Sequence, residues 1–167
     1  MERCFTEDPQ KFWTKNQIYA KLEMKDPEKI IRVKPMRYNE PDQEEFKIQL
    51  KELIDAKLIQ NSQSPHSSPA FMVRNHAEQV RGKARMVINY KKLNDNTVFD
   101  GYFLPHKESL INKTRTKRIF SNFDCKSDFW QIKMHPDSIP YTAFSTPQGH
   151  YKWLVMPFGL KNAPQIV

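Results

Sequence analysis

Apolar residues recur at helical spacing in one stretch near the front of the chain. Ahead of this stretch, Asn39 is a residue type that caps helices, and Pro41 suits a first helical turn. The sequence therefore predicts an amphipathic helix from about Pro41 to Gln60. Its apolar face would consist of Phe46, Leu50, Leu53, Ile54 and Leu58.

Two extended apolar runs follow this helix. A polar stretch bounded by prolines, residues 61–69, predicts a loop that leads into the first run, Ala70–Val73. The second run, Arg85–Tyr90, is also typical of a β-strand. The stretch between them carries Arg81 and Lys83, so the sequence predicts a β-hairpin with a basic tip.

The second half of the chain alternates less regularly. After Pro105, a short helix is predicted through Ser109–Ile111, and the apolar run Ile119–Phe123 is typical of a buried strand. A further hairpin is predicted from Tyr141–Phe144 and Tyr151–Met156, with a turn at Pro147-Gln148-Gly149. Because helices and strands do not alternate as in βαβ units, the predicted fold class is α+β.

The first residues of the chain show no clear period. A short strand is predicted at Ile30–Val33, where Pro35 follows. We interpret residues 1–38 as a lead-in segment and residues 39–167 as the main folded unit.

Composition changes this picture mainly through charge. The chain has 167 residues with 27 Lys and Arg against 19 Asp and Glu, a formal net charge of +8, which favours nucleic acid or nucleotides as partners. A basic surface that serves only solubility is the alternative. Cys4 and Cys125 lie far apart, and the five histidines occur singly, so neither a disulfide framework nor a zinc site is predicted. With no long apolar run or basic leader, we expect an intracellular protein without a membrane segment or signal peptide.

Four features could carry chemistry. Asp124 follows an apolar run directly, where a carboxylate can bind a metal ion or, more commonly, cap the next turn. The basic hairpin with Lys83 and Arg85 could hold a triphosphate or be a solvated turn. The aromatic pair Phe129-Trp130 could support a sugar or base, or belong to the core. The turn at residues 156–164, which includes Phe158 and Gly159, could hold a nucleotide or be a plain junction.

The order of these features resembles the signature of retroelement reverse transcriptases, most closely those of plant pararetroviruses of the caulimovirus family. Five motifs carry the resemblance, at residues 85–94, 102–105, 123–131, 141–144 and 156–164, and it extends from about Lys34 to the last residue. It implies the fingers and part of the palm of a right-hand polymerase. The implied activity is RNA-directed DNA synthesis on an RNA or DNA template-primer from deoxynucleoside triphosphates.

The resemblance also implies roles for individual residues. Asp124 matches the first catalytic aspartate, which binds Mg²⁺. Arg85 matches the arginine of the fingers that grips the triphosphate, and its partner would be Lys83, ranked first, or Arg74. Phe129 matches the aromatic side chain that excludes a 2′-hydroxyl, while Phe158 and Gly159 match the turn beneath the incoming nucleotide. Three further residues are expected to contact nucleic acid: Lys91, Lys161 and Pro164.

Two departures from the family pattern affect the expected activity. Position 128 is Asp where the family usually has glycine or alanine, and its charge would repel a triphosphate. The sequence also contains no Asp-Asp pair, so the family's Tyr-x-Asp-Asp turn is missing, as are the thumb and ribonuclease H regions. We therefore expect a polymerase fragment that is inactive alone and would act in the cytoplasm or in a virus-like particle. The alternative is a non-catalytic, nucleic-acid-binding remnant of an endogenous viral element.

Overall fold

The helix at residues 40–55 is the longest element of the fold. The computed structural model describes residues 18–74, 84–121 and 128–166. Helix α1 spans Glu40–Asp55, and the side-chain oxygen of Asn39 accepts a hydrogen bond from the backbone N–H of Asp42 at 2.8 Å. This confirms the predicted cap. Phe46, Leu50 and Leu53 are buried and form part of the core.

The predicted end of this helix, at Gln60, was wrong. Lys57 adopts a left-handed conformation with φ of 55°, and the N–H of Leu58 donates to the carbonyl of Leu53 at 3.0 Å, while the N–H of Lys57 donates to Ile54 at 2.9 Å. These two bonds form a Schellman motif, which closes the helix. The chain then reverses into strand β2, Ile59–Asn61, so Leu58 is buried outside the helix.

Lys57 occupies a position that glycine adopts with less strain, because a side chain is unfavourable at positive φ. We expect Lys57→Gly to raise the free energy of unfolding by about 0.5–1 kcal/mol, measured by denaturant titration. Lys51→Gly, within α1, should lower it by about 1 kcal/mol. Destabilisation by both substitutions would contradict the assigned strain.

A mixed five-stranded sheet forms the centre of the fold. Its strands are β2, β3 (Ser68–Val73), β4 (Arg85–Ile88), β6 (Phe144–Thr146) and β7 (Gly149–Trp153), arranged in the order β2-β7-β6-β3-β4. Only the β3–β6 pair is parallel. Both predicted hairpins, β3–β4 and β6–β7, are therefore present, and the α+β class is confirmed. Residues 75–83, the tip of the first hairpin, lie outside the described residues.

The first strand of the second hairpin begins later than predicted. A 3-10 helix, Pro136–Thr142, occupies most of the predicted strand, and β6 starts at Phe144. Two prolines, Pro136 and Pro140, fix φ near the value that such tight turns need, and His135 Nδ1 accepts a bond from the N–H of Asp137.

The remaining helices are short. Helix α2 spans Lys91–Asn96, α3 spans Lys107–Thr114, as predicted after Pro105, and α4 spans Ala163–Ile166. A second 3-10 helix covers Asp128–Gln131. No helix in the described ranges is long and apolar enough to cross a membrane.

The predicted buried strand at Ile119–Phe123 was wrong for the residues that are described. Ile119 and Phe120 are 89% and 65% exposed, and residues 119–121 form no strand. A strand is stable only beside another strand or a packed face. No strand in the described part of the chain lies next to residues 119–121.

The segment before α1 packs on the main unit. Strand β1, Tyr19–Ala20, pairs in parallel with β5, Lys133–Met134. Instead of the strand predicted at Ile30–Val33, the structure has a single bridge between Arg32 and Ser67. The division into a lead-in segment at residues 1–38 and a unit at residues 39–167 stays a prediction.

A buried histidine fixes this segment. Nδ1 of His66 accepts a hydrogen bond from the backbone N–H of Ile31 at 3.1 Å, and its ring lies 4.7 Å from that of Tyr141. Burial lowers the pKa of His66 below its ordinary value, which favours the neutral ring that this bond requires.

The lowered pKa of His66 predicts acid sensitivity. Because the unfolded chain takes up the proton more readily, this stability is present above the unfolded pKa of about 6.5 and is lost as pH falls from there through the folded pKa. We expect the free energy of unfolding to fall between pH 7.5 and 5.5 by more in the unmodified chain than in His66→Asn. Equal falls would assign the acid sensitivity to other groups.

Candidate nucleotide site

An aromatic cluster joins three distant parts of the sequence. The guanidinium carbon of Arg85 lies 5.2 Å from the centre of the Phe158 ring. The Phe129 ring meets Phe158 edge-on at 5.0 Å, and Trp130 does so at 5.9 Å. Trp130 in turn lies 6.1 Å from Trp153. Arg85, Phe129 and Phe158, all singled out from the sequence, are therefore neighbours.

This cluster borders a cavity of about 290 Å³ between α1 and the end of the sheet. Its wall includes Arg85, Trp130 and Phe158, together with Gly159 and Glu52. The lining is mostly apolar, with Arg85 as its cation. Such a space suits a flat ring with a charged group at its edge.

Gln49 fixes the strand that carries Arg85. Its side-chain amide donates to the carbonyl of Ala84 at 2.8 Å and accepts from the N–H of Met86 at 3.1 Å. These bonds satisfy the backbone on both sides of Arg85 at the edge of the sheet. Gln49 was missed from the sequence, because its position on a polar part of an amphipathic helix gives no signal of this contact.

A second set of hydrogen bonds fixes the turn that carries Phe158. Gly159 has φ of 89°, a conformation that side chains rarely adopt, and its carbonyl accepts from Asn94 Nδ2 at 2.8 Å. Asn94 Oδ1 accepts from the N–H of Lys161 at 2.9 Å. Asn94 thus joins α2 to the turn, a role that its place in the motif at residues 85–94 did not reveal.

Buried Tyr90 supports the same turn from below. Its hydroxyl donates to the carbonyl of Thr142 at 2.7 Å. Complete burial raises the pKa of Tyr90 well above its ordinary value, so the hydroxyl keeps its proton for this bond. A Cβ atom on Gly159 would lie 3.8 Å from this ring, which shows how closely the turn packs on it.

The other predicted site residues lie in different surroundings. Arg74 forms an ion pair with Asp42 at 2.5 Å, at the start of α1. Lys161 Nζ lies 5.4 Å from the centre of the Phe99 ring, while Lys91 and Pro164 are exposed on α2 and α4. Asp124 and Lys83 lie outside the described residues.

Asp128 is half-buried next to the aromatic cluster. It opens the 3-10 helix, and its Oδ1 accepts a hydrogen bond from the N–H of Phe129 at 2.8 Å. Within residues 18–74, 84–121 and 128–166, no three His, Cys, Asp or Glu side chains are grouped as a metal site would need. The described residues therefore do not hold a metal ion by themselves.

Comparison with known proteins identifies the chain. Residues 73–167 match the family model described as reverse transcriptase (RNA-dependent DNA polymerase), and these residues are more than half of the sequence. The chain belongs to the reverse transcriptase family. Members of this family generally use divalent metal ions.

The relatives of this reverse transcriptase region are viral polyproteins. It is 55% identical over 159 residues to the enzymatic polyprotein of cauliflower mosaic virus (strain Strasbourg), covering 95% of this chain and 23% of the polyprotein. The enzymatic polyprotein of carnation etched ring virus is 49% identical over 169 residues, covering 99% of this chain and 25% of the polyprotein. The caulimovirus resemblance is thus confirmed. The chain spans about a quarter of the length of these relatives.

Solved structures support the fold. The native protease-reverse transcriptase of prototype foamy virus aligns with 81% of this chain and 18% of its own, with a TM-score of 0.67 and 20% identity. A foamy viral protease-reverse transcriptase in complex with double-stranded DNA aligns with 80% of this chain and 22% of its own, with a TM-score of 0.60 and 19% identity. The predicted fingers and partial palm of a right-hand polymerase agree with this similarity.

Proposed function

We propose that this chain is the nucleotide-gripping part of an RNA-directed DNA polymerase, which adds deoxynucleotides to a primer 3′-hydroxyl once the palm is complete. The observation that carries the proposal is the contact between Arg85, Phe129 and Phe158 at the rim of one cavity. Because these residues come from separate motifs, their meeting supports one shared ligand.

Arg85 would bind the triphosphate. Its guanidinium offers forked donors to phosphate oxygens, and the bonds of Gln49 on both sides hold its strand in place. Phe158 under the guanidinium limits its movement. Lys83 is proposed as the partner cation, because Arg74 is already paired with Asp42.

Phe129 would set the choice of sugar. Its ring is held edge-on against Phe158, so it can crowd a 2′-hydroxyl without moving aside. Gly159 would allow the backbone to approach the nucleotide closely. Lys91, Lys161 and Pro164 are proposed to contact the template-primer.

Asp124 is proposed to hold Mg²⁺ together with carboxylates that this sequence does not contain. When bound, the metal ion would polarise the triphosphate and activate the primer hydroxyl. The chain's own contribution is to supply one carboxylate and to place the nucleotide beside it.

The test is primer extension by a chimeric chain, in which residues 1–167 are followed by the corresponding continuation of the cauliflower mosaic virus polyprotein. We expect extension on an RNA template with deoxynucleotides and Mg²⁺, and none after chelation of the metal. A folded chimera that binds template-primer but never extends it would contradict the proposal.

Asp128 favours a second candidate function, a non-catalytic nucleic-acid-binding remnant. Its carboxylate lies next to Phe129, where a triphosphate would meet a like charge. If this charge inactivates the site, Asp128→Gly in the chimera should raise extension at least about tenfold. Asp137→Asn, at an exposed carboxylate, is the matched control and should change nothing. Unchanged extension in Asp128→Gly would remove this reason for the second candidate.

A further inference from the structure

A second groove lies on the side of the sheet away from the aromatic cluster. It encloses about 700 Å³ between residues 32–35, the loop after β2 and the β6–β7 hairpin. His150 and Trp153 are three positions apart on β7, so their side chains point to opposite faces. Trp153 lines the nucleotide cavity and His150 lines this groove, and the two share no residue.

The groove is positively charged. Arg32 and Lys34 line it with exposed side chains, and none of its described lining residues is acidic. No ion pair of either cation is formed within the part of the chain that the structure describes. Backbone bonds between residues 31–33 and Ser67 fix the position of Arg32.

Two polar atoms of the groove have no hydrogen-bond partner. Ser145 is buried to more than nine-tenths, and its Oγ is unpartnered. Nε2 of His150, the residue opposite Ser145 in the β6–β7 pair, is also buried and unpartnered. Buried polar atoms are costly unless they bind something, so this pair indicates a ligand with oxygen atoms.

We propose that this groove binds the phosphodiester backbone of a single-stranded nucleic acid. Arg32 and Lys34 would neutralise phosphates, while Ser145 Oγ donates to a phosphate oxygen and His150 Nε2 completes the contact. The inference deepens the proposed function, because it gives a template strand a second contact on the far face of the sheet.

The test measures binding of a fluorescent 20-nucleotide oligodeoxythymidylate to the 167-residue chain, by anisotropy over a range of salt concentrations. Arg32→Ala/Lys34→Ala should weaken binding about tenfold at low salt and flatten the salt dependence by about 1.4 in the log–log slope. Lys29→Ala/Lys51→Ala removes the same charge elsewhere and should have a smaller effect. Equal effects of the two double variants would overturn the proposal.

Two further arms test the chemistry. Ser145→Ala keeps the net charge and should weaken binding about threefold with unchanged thermal unfolding. A methylphosphonate oligonucleotide, which lacks backbone charge, should not distinguish the unmodified chain from Arg32→Ala/Lys34→Ala. Equal loss with the neutral probe, or equal competition by polyglutamate, would overturn the assignment to nucleic acid.

This assay contains no nucleotide and needs no palm, so its result is independent of primer extension. Failure of extension with a clear groove effect would contradict the polymerase proposal alone. Normal extension without a groove effect would contradict this inference alone.

Discussion

Asp124→Asn is expected to lower primer extension by the chimeric chain by about 10³-fold or more. The substitution preserves the size of the side chain but removes the charge that a divalent ion requires. A loss of this size corresponds to roughly 4 kcal/mol of transition-state stabilisation. Single-nucleotide incorporation on an RNA template, measured in pre-steady state, would give the rate directly.

The control for this prediction is Asp137→Asn, which removes the same charge from an exposed carboxylate. We expect it to extend primers at the unmodified rate. If Asp124→Asn extends primers equally well, Asp124 is not the metal-binding residue, even if the chimera is a polymerase.

Arg85→Ala should have the second largest effect, a fall of about 10²-fold in kcat/KM for the incoming deoxynucleotide. This corresponds to roughly 2.7 kcal/mol, within the range for a charged donor that stabilises a transition state. Arg85→Lys should recover only part of the loss, because lysine keeps the charge but not the forked geometry.

The two candidate partners of Arg85 can be ranked in the same assay. Lys83→Ala is expected to cost more than Arg74→Ala, because the guanidinium of Arg74 is engaged by Asp42. A larger loss in Arg74→Ala would reverse this ranking. A loss in Arg85→Ala no greater than that in Arg37→Ala, a distant exposed arginine, would remove Arg85 from the site.

Local sequence rules predicted the start of α1 but not its end. The Asn39 cap depends on one side chain and its nearest backbone, so it can be recognised directly. The Schellman motif at Lys57 lacks the glycine that usually marks it, and the apolar Leu58 continued the helical period. The core selected the turn, because it buries Leu58 and sends Ile59 into the sheet.

The candidate site shows a similar division. Motif order identified Arg85, Phe129 and Phe158 as site residues, although no periodicity could place their rings within about 5 Å of one another. The contacts that hold them, from Gln49 and Asn94, depend on how α1 and α2 pack against the sheet. Such polar contacts are set by tertiary structure and have no pattern along the chain.

The exposed run at Ile119 and Phe120 shows the opposite case. Its composition is typical of a buried strand, yet both side chains are largely exposed. Burial is a property of the neighbours that a segment finds, and the described residues place no strand beside it.

The central claim is that a nucleotide binds at the cluster of Arg85, Phe129 and Phe158, and photoaffinity labelling tests it most directly. The chimera with template-primer would be irradiated with an azido-deoxynucleoside triphosphate, and the labelled peptides would be mapped by mass spectrometry. We predict labelling in the peptides that carry Arg85 or Phe158, lost on adding unmodified deoxynucleotide. Labelling confined to other peptides, such as those of α3, would contradict the claim.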